Sequence, residues 1–100
     1  MKKAERYFYP AVFTYEKGKE IAVDFPDLKA ATSGVDDKDA YLSARELLGL
    51  VLAGMEEDEA DIPDPTPLSD IPLQDNERVV LIDVYMPSVR MANQNRAVNR

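Results

Sequence analysis

The sequence predicts one small α+β domain in which a single helix covers one face of an antiparallel sheet. Three observations support this: hydrophobic patterns in the order β-β-β-α-β, one strongly amphipathic helix, and 45% hydrophobic residues in a chain of 100. This content is enough for one modest core. Because one helix cannot cover both sheet faces, we expect part of the other face to meet another chain or a further segment.

The strands are predicted from alternating runs rich in aromatic and β-branched residues. The first is YFYPAVFTYE (7–16), where Pro10 favours an edge position or a bulge because proline cannot donate a ladder hydrogen bond. IAVDF (21–25) and ATSGV (31–35) follow as the second and third strands. The last, VVLIDVYM (79–86), is apolar on both faces, which indicates a central strand or a subunit contact.

A helix is predicted over about residues 37–57, with Asp36 as its N-cap. Its apolar stripe consists of Ala40, Ala44, Leu47, Leu48, Val51 and Met55, with Tyr41 and Leu52 flanking it. Four prolines within residues 63–72 exclude a regular helix and a central strand, so an extended acidic loop is expected there.

The charge distribution indicates partners other than nucleic acid for the body of the chain. A net charge of −7 repels phosphates and attracts a basic protein. Residues 36–77 contain 13 acids and two bases, whereas residues 88–100 contain three arginines and no acid. This asymmetry suggests two surfaces with different partners, the alternative being an acidic solvated face with a basic end.

Residue types exclude several kinds of enzyme and of site. With no Cys and no His, the chain has no disulfide framework, no ordinary zinc site and no histidine-activated nucleophile. The alternative of a metal-dependent nuclease needs carboxylates that converge on two metal ions. Asp24 is expected on the sheet face away from the helix and Glu46 about 150° from the apolar stripe, so these two do not converge. We predict no catalytic residue, no metal and no cofactor.

No membrane or export segment is expected. The start MKKAERYFYP lacks an apolar core region, and the longest apolar run, LLGLVLAGM, is far shorter than the ~20 residues of a membrane span. The sequence therefore predicts a soluble cytoplasmic protein.

The segment VDFPDL (23–28) predicts a rigid turn that ends the second strand. Pro26 fixes its own φ and favours an extended Phe25. Asp27 is expected to bond to nearby amides of the turn, and Leu28 to lie over the sheet edge. The alternative is an exposed acidic corner used in recognition.

Residues 7–68 resemble the N-terminal domain of HicB-family antitoxins. The resemblance is carried by the aromatic-Pro-Ala-Val-aromatic first strand, the V-x-F-P-D-L turn, a helix entered through acidic residues, and the proline-rich IPDPTP segment. Many relatives have Pro-Gly-Cys after the turn, whereas this chain has Lys-Ala-Ala at 29–31.

The resemblance implies a partial RNase H-like fold without its catalytic set. It also implies a small basic HicA-type toxin as the partner, self-association as a dimer or tetramer, and a C-terminal segment that binds operator DNA. Residues 1–87 are then the antitoxin domain, and residues 88–100 a basic linker towards a DNA-binding segment absent from this sequence. A nuclease and a plain oligomerisation module remain the alternatives.

Two sets of contact residues are predicted. Charge and exposure favour toxin contacts at Asp24, Asp27, Leu28, Glu56, Glu57, Asp58 and Glu59. Apolar character in the last strand favours self-association through Val80, Ile82 and Val84.

Overall fold

The computed structural model describes residues 4–98 as an antiparallel sheet with two helices, which confirms the α+β class. The strands are β1 (Arg6–Thr14), β2 (Ile21–Phe25), β3 (Ala30–Gly34) and β4 (Glu77–Tyr85); the helices are α1 (Asp37–Glu57) and α2 (Met86–Val98), and Leu68–Asp70 form one 3-10 turn. The sheet order is β3-β2-β1-β4. No helix among the described residues is long and apolar enough to cross a membrane.

The four strands differ in how far they are paired. β1 and β4 pair over nine residues, from Arg6 opposite Tyr85 to Thr14 opposite Glu77, whereas β1 pairs with β2 only over 12–14. β4 therefore lies at the sheet edge, and the expectation of a central strand is wrong. Its apolar residues on one face pack under α1, and those on the other remain on the surface.

The core lies between α1 and one face of the sheet. The buried strand residues are Tyr9, Ala11, Phe13, Ile21, Val23, Phe25, Ile82 and Val84, and those of α1 are Ala40, Ala44, Leu48, Leu52 and Ala53. Leu52, predicted to flank the apolar stripe, is fully buried, while Leu47 is only half-buried. The buried stripe is thus rotated slightly towards Leu48 and Leu52.

The start of α1 is held by two reciprocal side-chain bonds. Asp36 Oδ1 accepts from the Asp39 amide at 2.8 Å, and Asp39 Oδ2 accepts from the Val35 amide at 2.9 Å. Both satisfy amide donors at the helix entrance, as in a capping box, and the acids of the first turn favour the positive end of the helix dipole. The predicted N-cap and helix bounds are confirmed.

The segment predicted as a basic linker, residues 88–100, is helical as far as Val98, the end of α2. The helix follows β4 directly, with Pro87 in its first turn, a position where proline costs no hydrogen bond. Met86 is fully buried, and Val89 lies so close to Gly49 of α1 that an added Cβ would be 3.1 Å from its side chain. Two apolar contacts in one turn are too few to produce a helical pattern in the sequence, which is why α2 was missed.

Gly34 provides a test of this packing. A Cβ at Gly34 would collide with the backbone N and Cα of Ala40, so Gly34→Ala is expected to lower the free energy of unfolding by about 2 kcal/mol or more. Gly54→Ala is the control, because nothing lies within 4 Å of its added Cβ and alanine favours a helix. Urea unfolding measures both, and equal stability of the two variants would contradict the contact.

Candidate functional site

The hydrogen-bond register of β1 determines where its backbone groups point. Glu5 O accepts from Met86 N at 2.8 Å, and Tyr15 N donates to Asn76 O at 2.9 Å. With the register of β1 and β4, this means that the odd-numbered residues of β1 form the backbone hydrogen bonds to β4. Bonded and non-bonded pairs alternate along an antiparallel ladder. The even-numbered residues of β1 therefore direct their N–H and C=O groups away from β4, towards β2.

Two prolines end the ladder between β1 and β2. The pairing of Val12 with Asp24 puts the next bonded position at Pro10 opposite Pro26, and neither proline has an N–H to donate. The chain turns away there, with the Leu28 and Lys29 amides bonding to Phe25 O at 3.1 and 3.0 Å. The predicted turn at Pro26 is confirmed. The expected edge position of Pro10 holds for the N-terminal half of β1, which only β4 borders.

An open groove of about 350 Å³ lies along this half of β1. Its lining residues are Ala4, Arg6, Tyr7, Phe8 and Tyr9 on one side and Ile62, Pro63, Asp64 and Pro65 on the other. The Tyr9 hydroxyl donates to Pro63 O, and Ile62 packs against the core, so both hold the loop wall in place. Burial is the main cause that raises the pKa of Tyr9.

Asp27 holds the other end of this loop. Its Oδ2 accepts from the Thr66 amide at 3.0 Å and its Oδ1 from the Thr66 hydroxyl at 2.5 Å. We expected Asp27 to bond to amides of its own turn, and this is wrong because the Leu28 and Lys29 amides bond to Phe25 O instead. The carboxylate therefore joins the FPDL turn to the IPDPTP segment.

A second carboxylate, Glu56, joins three elements beside the groove. Arg90 Nε and Nη2 donate to its two oxygens at 2.8 and 2.7 Å, and the Tyr7 hydroxyl donates at 3.0 Å. Arg90 Nη2 also donates to Ala4 O at 2.5 Å. Only 5% of the Glu56 side-chain surface is exposed, so Arg90 and Glu56 form a bidentate, largely buried ion pair. Burial, followed by the bond to Glu56, raises the pKa of Tyr7, and the bond to Glu56 raises the pKa of Arg90.

The seven predicted toxin contacts do not form one surface. Asp27 and Glu56 are occupied as described, and Leu28 packs against the core. Glu57 is exposed and accepts from Asn93 Nδ2 at 2.5 Å. The exposed acids Asp24, Asp58 and Glu59 lie in two places, Asp24 on the sheet face away from α1 and the other two just after α1. Their contact with a partner stays a prediction.

The three residues predicted for self-association face α1. Ile82 and Val84 are 0% and 5% exposed, and Val80 is half-buried against the same core. The core of one chain already covers these side chains. The exposed apolar residues at this edge lie on the opposite face, namely Phe8, Leu81 and Tyr85.

Carboxylates are numerous but dispersed. Within the described residues, no group of three or more Asp or Glu side chains could hold a metal ion. Asp83 on β4 forms an ion pair with Arg6 at 2.6 Å.

Sequence reasoning missed three side chains that organise this end of the domain: Tyr7, Thr66 and Arg90. Arg90 was assigned to the linker, because its role depends on a helix without a hydrophobic signal. A threonine in a proline-rich loop gives no signal either until Asp27 is known to lie beside it.

Comparison with known proteins gives a likeness to a solved structure. No family model and no curated protein sequence matches the chain. A solved structure described as a toxin–antitoxin complex from Streptococcus pneumoniae matches with a TM-score of 0.75 and 25% identity, over 83% of this chain and 71% of that chain. This likeness supports the α+β fold, in a chain similar to one from a toxin–antitoxin complex.

Asp27→Ala tests the tie between turn and loop. Loss of two hydrogen bonds to a charged group is expected to lower the free energy of unfolding by about 2 kcal/mol and to speed exchange of the Thr66 amide. Asp24→Ala is the matched control and should stay within about 0.5 kcal/mol of the parent, because Asp24 is exposed. Denaturant unfolding and amide exchange measure the two effects; identical behaviour of the variants would contradict the assigned role.

Arg90→Ala tests the Glu56 contact. Removing one member of a largely buried ion pair typically costs 3–5 kcal/mol, and the 27% exposure of Arg90 reduces the expected loss to about 2–4 kcal/mol. Arg90→Lys should restore only part of it, because an ammonium group cannot reproduce the two-point contact. If urea unfolding at neutral pH gave Arg90→Ala the parent's stability, the contact would contribute nothing to the fold.

Proposed function

We propose that this chain is a HicB-type antitoxin that binds and neutralises a small, basic HicA-type RNA-cleaving toxin. The likeness to a chain of a toxin–antitoxin complex over 83% of this chain carries the proposal. A second observation supports it: two pieces whose combination carries the HicB resemblance, the FPDL turn and the IPDPTP segment, are joined by the bonds of Asp27 to Thr66.

Electrostatics supplies the mechanism. A chain with a net charge of −7 attracts a basic RNA-binding protein over long range and speeds its association. The exposed carboxylates just after α1, Asp58 and Glu59, take the positions that RNA phosphates would occupy on the toxin. The antitoxin thereby covers the RNA-binding face, and no catalytic residue of its own is needed.

The proposal extends to assembly and regulation in the cytoplasm. Residues 1–87, together with the start of α2 that bonds to α1 through Arg90, form the toxin-binding domain, and the rest of the basic segment 88–100, helical as far as Val98, leads towards a DNA-binding segment that represses the operon. Self-association as a dimer or tetramer uses the outward face of β4, where Leu81 and Tyr85 are exposed beside Phe8. Apolar patches of this kind on a small domain commonly mark contacts with another chain.

Co-expression with a small, basic HicA-type protein from the same genome tests the function. The two chains are expected to co-purify, the complex to weaken as salt rises, and RNA cleavage by the partner to stop when this chain is added. The double variant Asp58→Lys/Glu59→Lys should bind about tenfold more weakly. Asp70→Lys/Asp75→Lys carries the same change in net charge in another exposed part of the chain and serves as the control.

Two results would contradict the proposal. One is undiminished RNA cleavage by the partner in the presence of excess antitoxin chain. The other is cleavage of RNA by this chain alone with magnesium or manganese, which would favour the nuclease alternative.

A further inference from the structure

We propose that the N-terminal half of β1, which has a neighbouring strand only on its β4 side, receives an extended, basic segment of the toxin as an added strand. The inference rests on the proposed function and assigns that function's contact to the groove between β1 and the Ile62–Pro65 loop. Strand addition of this type takes affinity from main-chain hydrogen bonds and selectivity from the side chains around them.

The free half of β1 offers a ready set of backbone donors and acceptors. The register directs the N–H and C=O groups of Arg6 and Phe8 away from β4 and towards the place β2 would occupy. Pro10 is fully buried, so its C=O is not counted among the groups open to a partner. Within the described part of the chain, none of the four backbone groups of Arg6 and Phe8 has a hydrogen-bond partner. An extended segment opposite Phe8 would satisfy its donor and its acceptor together.

The outer edge of β4 is less suited to strand addition, because side chains already occupy most of its outward carbonyls. Asp83 O accepts from Arg45 Nε at 3.2 Å, Glu77 O from Arg78 Nη1 at 2.8 Å, and Tyr85 O from the Ser88 hydroxyl at 3.2 Å. Capping of this kind protects an edge strand from pairing. The half-edge of β1 has no such cap among the described residues.

The loop wall keeps the groove open. Pro63 and Pro65 have no N–H, so the loop cannot pair with β1 as a regular strand. Pro63 O already accepts a hydrogen bond from the Tyr9 hydroxyl, which fixes the loop wall to β1 at Pro63. From strand rise, strand spacing and sheet thickness, one extended residue occupies about 160 Å³, so the 350 Å³ groove holds about two residues of a longer segment.

The charge of the groove selects a basic occupant. The loop before and along the groove exposes four acids and no base, namely Asp58, Glu59, Asp61 and Asp64. On the β1 side, Arg6 is neutralised by Asp83 at 2.6 Å and stacks over Tyr85. The described charged groups around the groove therefore sum to a negative charge, which favours lysine or arginine side chains in the added segment.

Amide hydrogen exchange on the free protein and on its complex with the HicA-type protein used in the co-expression test checks the inference. The Arg6 and Phe8 amides are expected to exchange freely in the free protein and at least about tenfold more slowly in the complex. The Tyr7 and Tyr9 amides already bond to β4 and should be protected in both states. A complex that forms without new protection at Arg6 and Phe8 would overturn the groove assignment alone, whereas failure of any complex to form would overturn the proposed function with it.

Two variants of Phe8 separate the contribution of its backbone N–H from that of its side chain. Phe8→Pro removes an N–H that is outside the β4 ladder and is expected to weaken the complex by about tenfold, whereas Phe8→Ala keeps the N–H and should have a smaller effect. Asp64→Lys is expected to weaken it by a similar factor, with Asp75→Lys as the charge-matched control at the far end of β1. Circular dichroism confirms folding of each variant, and equal binding of Phe8→Pro and Phe8→Ala would count against strand addition.

Discussion

Pro10 and Pro26 face each other across β1 and β2 at the one place where the next ladder bond should form. Because neither can donate, β2 ends, the chain turns through FPDL, and half of β1 is left with a neighbour on one side only. The turn then places Asp27 beside Thr66, which brings the proline-rich loop along the open edge. The sheet's shortest ladder thus determines the shape of the groove and the position of its acidic wall.

A second constraint sets the other end of the groove. Glu56 binds Arg90 and Tyr7, and through them α1, α2 and β1 meet at one carboxylate. Its role differs from the one that charge alone suggested, because an acid in an acidic run is here part of the interior framework. The exposed acids that follow it, Asp58 and Glu59, lie just after the end of α1, which Glu56 ties to β1 and α2.

Periodicity and capping residues were sufficient to predict the first four elements. The alternation of Ile21, Val23 and Phe25 and the Asp36 N-cap each correspond to a local rule, and the structure agrees within one or two residues. α2 could not be predicted, since its stability depends on Met86 and Val89 meeting a surface assembled from distant residues. The candidate site was only partly predictable for the same reason. Asp24 is exposed whereas Asp27 is half-buried, and this difference arises because the proline-rich loop returns to place Thr66 beside Asp27.

We propose that the proline-terminated half of β1 is an open strand edge that a basic HicA-type partner completes. A crystal structure of this chain bound to that partner is the decisive measurement. We expect an extended segment of the partner hydrogen-bonded to the Phe8 backbone, with its cationic side chains beside Asp61 and Asp64. A partner seated on the opposite side of the domain, with the groove filled only by solvent, would contradict it.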